Sequence, residues 1–152
     1  MDFASALNTP ASDVEKPPVL PQGTYIWSVT KIPTMTRTNS GEWDIVEFAV
    51  TPVSAEDDVD PDDLEAFGNL RSGMNRLAFM FPTDPAKEAD AKRSLFRLKQ
   101  FLLRTLRVED EGTATIRELL DGSVNHQFLG SAVWRQDGED TYVDVKNYAP
   151  ID

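Results

Sequence analysis

Three strand-like runs, one long amphipathic helix and two further strand-like runs, in that order, predict a mainly β protein of the α+β class. The expected architecture is a five-stranded OB-type barrel with the helix between strands three and four. Two patterns carry the expectation. Apolar and polar residues alternate in the runs that precede Pro82 and follow Gly122, as half-buried strands require. Between Pro85 and Arg107 the spacing lengthens to the period of about 3.6 of a helix with one buried face.

Residues 1–22 contain Pro10, Pro17, Pro18 and Pro21 and are expected to form a flexible N-terminal arm, leaving 23–152 as the folded domain. Gly23 releases a first strand, Thr24–Ile32, with Tyr25, Trp27 and Val29 on one face; Pro33 stops it. A polar connector, Thr34–Glu42, carries the turn signal Asn39-Ser40-Gly41. The second strand, Trp43–Thr51, sets Val46, Phe48 and Val50 against Trp43, Ile45 and Glu47, and is expected to end at Pro52. The third, Asn75–Phe81, sets Leu77, Phe79 and Phe81 against Arg76, Ala78 and Met80.

Thr83 or Asp84 caps the helix and Pro85 opens it, where a missing N–H costs nothing. Ala91, Leu95, Leu98, Leu102 and Leu106 form its expected buried stripe, opposite Arg93, Arg97, Gln100, Arg104 and Arg107. A short helical turn over Thr115–Leu120 follows. The fourth strand, Val124–Gln136, contains Gly130, which signals a bulge or bend. Asp137-Gly138 is a hairpin signal. The last strand, Thr141–Tyr148, points Val143 and Val145 inward and Tyr142, Asp144, Lys146 and Tyr148 outward.

The length of 152 residues suits one domain, for which roughly 100–200 residues is usual. The chain has no cysteine, which excludes disulfides, thiol catalysis and cysteine-ligated zinc. No secretory leader is expected from the N-terminal residues, and no apolar run approaches the roughly 20 residues of a membrane span. A soluble, intracellular protein without membrane contact is the expectation. With His126 as the one histidine and no phosphate-cradling glycine loop, no catalytic residue, cofactor or enzymatic activity is predicted. The acids at 58, 60 and 62 imitate the start of a calcium loop. The turn glycine would then fall on Asp63 and the last ligand on Asn69, so Ser54–Glu65 reads as a solvated loop and no metal is expected.

A net charge of −11 opposes nucleic-acid affinity, because Lys and Arg supply most of the non-specific attraction to phosphates. The charge is polarised, however. Acids crowd between Glu56 and Glu65, whereas Lys87–Arg107 holds Lys87, Lys92, Arg93, Arg97, Lys99, Arg104 and Arg107 against Glu88 and Asp90, so the local field can differ in sign from the whole. OB barrels commonly bind oligonucleotides. Outward rings at Trp43, Tyr142 and Tyr148 would stack bases, each for roughly 1–3 kcal/mol. Lys31, Arg37, Arg71, Arg76, Arg135 and Lys146 lie where they could hold phosphates. The competing expectation for each ring is packing under a loop or the arm. The helix arginines Arg93, Arg97, Arg104 and Arg107 form either a plain solvated face or a contact with a phosphate backbone or an acidic partner.

The segments Leu20-Pro21-Gln22-Gly23-Thr24-Tyr25, Ser94-Leu95-Phe96-Arg97-Leu98-Lys99-Gln100-Phe101-Leu102, Leu119-Leu120-Asp121-Gly122 with His126-Gln127-Phe128-Leu129-Gly130, and Val143-Asp144-Val145-Lys146-Asn147-Tyr148-Ala149-Pro150 resemble those of bacteriophage-type single-stranded-DNA-binding proteins. The resemblance spans most of residues 20–150. It implies an OB fold, sequence-tolerant binding of single-stranded DNA and a role in phage DNA replication or recombination in the bacterial cytoplasm, with replication or recombination proteins as partners. A homo-oligomer is compatible with it. Many such proteins carry a flexible acidic tail, whereas this sequence stops at Ala149-Pro150-Ile151-Asp152, which puts recruitment through such a tail in doubt. The rival expectation is a structural or protein-interaction β-barrel module, such as a virion or assembly protein, that binds no nucleic acid.

Overall fold

The computed structural model describes residues 2–152. Alternation along β1 (Gly23–Val29) turns Tyr25, Trp27 and Val29 to the interior, where all three are fully buried. β1 and β2 (Thr34–Arg37) follow one another along a single edge of β3 (Trp43–Ala55), with Val29 opposite Val50 and Thr34 opposite Glu47. β4 (Asn75–Pro82) covers the other edge of β3. β5 (Gln127–Asp137) pairs with the far side of β1, and β6 (Asp140–Ala149) pairs with β5. These antiparallel pairings make one six-stranded sheet, ordered β2-β3-β1-β5-β6 with β4 on β3, in a mixed α+β fold.

Backbone pairing does not close this sheet into the expected barrel. β4 and β6 share no ladder; instead the Asn75 side-chain amide donates to the carbonyl of Val143 (2.6 Å). Rings fill the seam. Phe101 packs on Phe79 of β4 and on Tyr148 of β6, at centroid distances of 5.4 and 5.6 Å.

The strands differ from expectation in several places: the first ends at Val29 rather than Ile32, and β5 begins at Gln127 rather than Val124. The connector Thr34–Glu42 contains β2, whose four residues include one apolar side chain, Met35, too little to display a period. β3 continues through Pro52 to Ala55. The carbonyl of Ala49 accepts from the amide of Thr30 (3.0 Å), so alternation points the nitrogen of Pro52 away from β1. That edge is vacant by then, since the last β4 partner is Asn75 opposite Val50, and the missing N–H breaks no ladder.

The hairpin and bulge signals agree with the structure. Gly138 has φ 63° in the two-residue loop between Asp137 and Asp140. At Gly130 the β5–β6 register slips, and a Cβ there would come within 2.9 Å of Val145 Cγ1 and 3.2 Å of Trp27 Cδ1. The slip sets Asn147 and Tyr148 together opposite Gly130, with Asn147 in the left-handed region at φ 57°. Alternation therefore breaks, and Tyr148, expected outward, rests its ring 5.9 Å from Phe128.

Asp84 caps the long helix by accepting from the amide of Ala86 (2.9 Å). A 3-10 turn (Pro85–Lys87) leads into α3 (Glu88–Gln100), and Phe101–Thr105 widen into a π-helical turn. Leu98, Leu102 and Leu106 are buried as expected, and so is Phe101. Leu95 is not; it is 45% exposed. Leu95 and Phe101 lie about 60° to either side of Leu98 on the helix, so seating Phe101 among Phe48, Phe79 and Phe128 rolls Leu95 out. His126 is half-buried and ties the end of this helical stretch to the sheet through Nδ1 and the carbonyl of Leu106 (2.8 Å).

Residues 2–18 are exposed apart from the half-buried Ala6. Leu20 and Pro21 are buried, Pro21 accepts from the Tyr25 hydroxyl (2.6 Å), and Leu20 accepts from the Trp134 indole (2.8 Å). The short helices α1 (Phe3–Ala6), α2 (Pro61–Phe67) and α4 (Ile116–Asp121) complete the fold.

The acidic segment is not simply solvated. Asp58 accepts from the amide (2.9 Å) and hydroxyl (2.8 Å) of Thr24, Val59 is buried, and Asp60 caps α2. The hydrogen bonds from Thr24 hold the Asp58 carboxyl below its ordinary range. A depressed folded-state value contributes stability above the unfolded carboxylate pKa of about 3.9, and that contribution is lost as pH falls through the folded value. Asp58→Ala is expected to lower stability at pH 7 by about 0.5–2 kcal/mol, as loss of a comparable cap does. Thermal melts of both proteins should converge as the pH falls through the lowered folded-state value; a gap that persists once the carboxyl is protonated would show that the carboxylate is not responsible.

Candidate nucleic-acid interface

Each candidate ring has a different setting. Trp43 is half-buried at the start of β3, opposite Pro82, the last residue of β4. Tyr142 is 45% exposed on the outer face of β6, with the Arg135 guanidinium 5.0 Å above its ring. It borders a depression with Met74 and Asn75, at the first residue of β4. Eight residues at about 3.3 Å per step separate the two ends of β4 by about 23 Å. Tyr148 lies between them, its hydroxyl donating to the carbonyl of Val145 (2.8 Å). Burial, with a lesser effect from Asp144, raises the pKa of that hydroxyl, so it stays neutral at pH 7.

Half of the candidate cations are already paired. Arg37 is bidentate to Asp44 (2.7 and 3.2 Å), which raises the arginine and lowers the carboxyl. Arg76 pairs with Glu47 (3.2 Å) and Arg135 with Asp144 (3.1 Å). Lys31 in the β1–β2 loop, Arg71 in the 3-10 turn Leu70–Gly73 and Lys146 on the outer face of β6 are exposed. Among the described residues none of these three has a carboxylate within 4.0 Å.

What the fold assembles instead is a seam between β4 and α3. Trp43 and Met80 face Lys87, Arg93 and Arg97 across one depression. Met80, Ser94 and Arg97 also border the next, which ends on Tyr148. The two are neighbours that share Met80, Ser94 and Arg97 as a common wall. Arg93 is held by Asp90 (2.7 Å), whereas Lys87 and Arg97 have no carboxylate within 4.0 Å among the described residues. Arg97 thus stands free between two aromatic rings, an arrangement that can accept a phosphate while flanking bases stack.

The sequence leaves the helix arginines open between a solvated face and a contact with a phosphate backbone or an acidic partner, and it holds a signal for this placement beside β4. Only Thr83 and Asp84 separate β4 from the helical turns, so the first helical residues must lie beside the last residues of β4. No family model matches the chain, and no curated protein matches its sequence. No helix among the described residues is long and apolar enough to cross a membrane.

Proposed function

We propose that this protein binds single-stranded DNA without catalysis or sequence preference, through the seam of Trp43, Arg97 and Tyr148. The observation that carries the reading is a free guanidinium between two partly exposed rings, in a chain whose other charges are mostly acidic. Such a site needs no positive net charge, since a basic stripe acts locally over about 10 Å at 0.1 M salt.

An OB-type barrel with an open seam is the architecture behind this proposal. Its supports are the shared edge of β1 and β2, the helix between β4 and β5, and the approach of β4 to β6 at Asn75 and Val143. Service in phage DNA replication or recombination, in the cytoplasm of a bacterial host, follows from the resemblance in sequence.

The test is fluorescence anisotropy of labelled oligo-dT at low and moderate salt, beside the matching duplex. Affinity for the single strand that exceeds affinity for the duplex and falls with added salt is expected. Absence of binding at low salt would leave the protein-interaction module as the reading, with the net charge of −11 decisive.

A further inference from the structure

We infer that the N-terminal arm of one copy docks on the outer face of α3 of a second copy. Among the described residues nothing covers either face. Asp2 caps α1 by accepting from the amide of Ala4 (3.2 Å) and the hydroxyl of Ser5 (2.7 Å), and Leu7 continues the turn onto the carbonyl of Phe3 (3.1 Å). Phe3 and Leu7, four residues apart, therefore share one side of the turn. They are 74% and 68% exposed, and Val14 further along is 66% exposed. Residues 2–15 carry Asp2, Asp13 and Glu15 and no basic side chain.

The complementary face is on α3. Lys92, Leu95, Phe96 and Lys99 fall at i, i+3, i+4 and i+7, one stripe of a helix. Leu95 is 45% and Phe96 59% exposed, so an apolar pair sits between two lysines, of which Lys92 also reaches Glu88 (3.5 Å). This stripe is separate from Arg93, Ser94 and Arg97, which face the seam. An arm whose charged side chains up to Glu15 are all acidic, with an exposed apolar pair, and a basic stripe with another are matched in charge and in kind.

The contact joins unlike surfaces, so it is heterologous and propagates head to tail rather than closing a dimer. It is small and weak between free copies. Copies held side by side gain from effective concentration, as they would on a common strand if the proposed function holds. The arm then acts as the link between neighbours and leaves the seam open.

Because the chain lacks cysteine, a disulfide between introduced thiols reports the contact directly. A tagged copy carrying Ala4→Cys, which flanks the side of the turn that Phe3 and Leu7 share, is mixed with an untagged copy carrying Lys92→Cys, without nucleic acid, under mild oxidation. A mixed disulfide in at least fivefold excess over that formed when the Lys92→Cys copy also carries Phe96→Ser is expected, with the same loss for Phe3→Ser in the other copy. Three results would overturn the inference: mixed disulfide no more abundant than like-with-like products, yield unaffected by Phe96→Ser, or closure within a single chain that carries both cysteines. None depends on DNA binding, so failure here is distinct from failure of the proposed function.

Discussion

Replacement of Trp27 by alanine is expected to remove about 3–5 kcal/mol of folding stability, the range for a fully buried tryptophan. Domains of this size are stable by about 5–15 kcal/mol, so the variant should sit near the edge of folding. Trp27 has no exposed surface, and its indole donates to the carbonyl of Gly130 (3.0 Å). Its ring also packs edge-on against Tyr25 (5.8 Å). The bulge that places Gly130 there leaves no room for a Cβ, so the surrounding wall cannot collapse without breaking the β5–β6 register. Urea unfolding measures the loss. A decrease below about 1 kcal/mol would mean that the wall does collapse and that the bulge is softer than its contacts imply.

Trp43→Ala is expected to weaken oligo-dT binding by about 1–3 kcal/mol, or roughly 5- to 150-fold, the usual value of one base stacked on a ring. Trp43 is the first residue of β3 and is half-buried, so its loss should disturb folding far less than loss of Trp27. Arg97→Ala in the same assay should lower the salt dependence by about 0.7 in log K against log salt, the share of one phosphate contact on a single strand. The two variants separate the stacking contribution from the charge contribution. Arg37→Ala provides the contrast, since Arg37 is committed to Asp44 and lies off the seam; its salt dependence should match that of the unmodified protein.

Strong periods made much of the fold legible. The alternation of Tyr25, Trp27 and Val29, the cap at Asp84, the bulge at Gly130 and the turn at Gly138 all follow from local chemistry that a sequence displays. The failures come from tertiary geometry. Nothing local says that Phe101 outcompetes Leu95 for the core, because both flank Leu98 equally on the helix. Pro52 stops a strand only if its nitrogen faces a partner, which depends on where β4 begins. Tyr148 leans its ring on Phe101 and Phe128 while staying partly exposed, because a bulge at Gly130 spends two residues of β6 against one of β5, a count set by pairing.

The candidate site was legible in its residue types more than in its grouping. Trp43 and Tyr148 do border one seam, but Arg37, Arg76 and Arg135 are tied to carboxylates that only the strand register brings beside them. The free cation between the rings is Arg97, which periodicity placed on the outer face of the helix, open to water or to a partner.

The claim that the seam is the binding face is tested most directly by tryptophan fluorescence during titration with oligo-dT. Trp27 is fully buried, Trp134 lies apart from the seam against Leu20, and Trp43 borders it. The account predicts quenching that persists in Trp134→Phe and largely disappears in Trp43→Phe. Quenching that survives Trp43→Phe undiminished, or saturable binding that leaves the fluorescence of Trp43 unchanged, would contradict it.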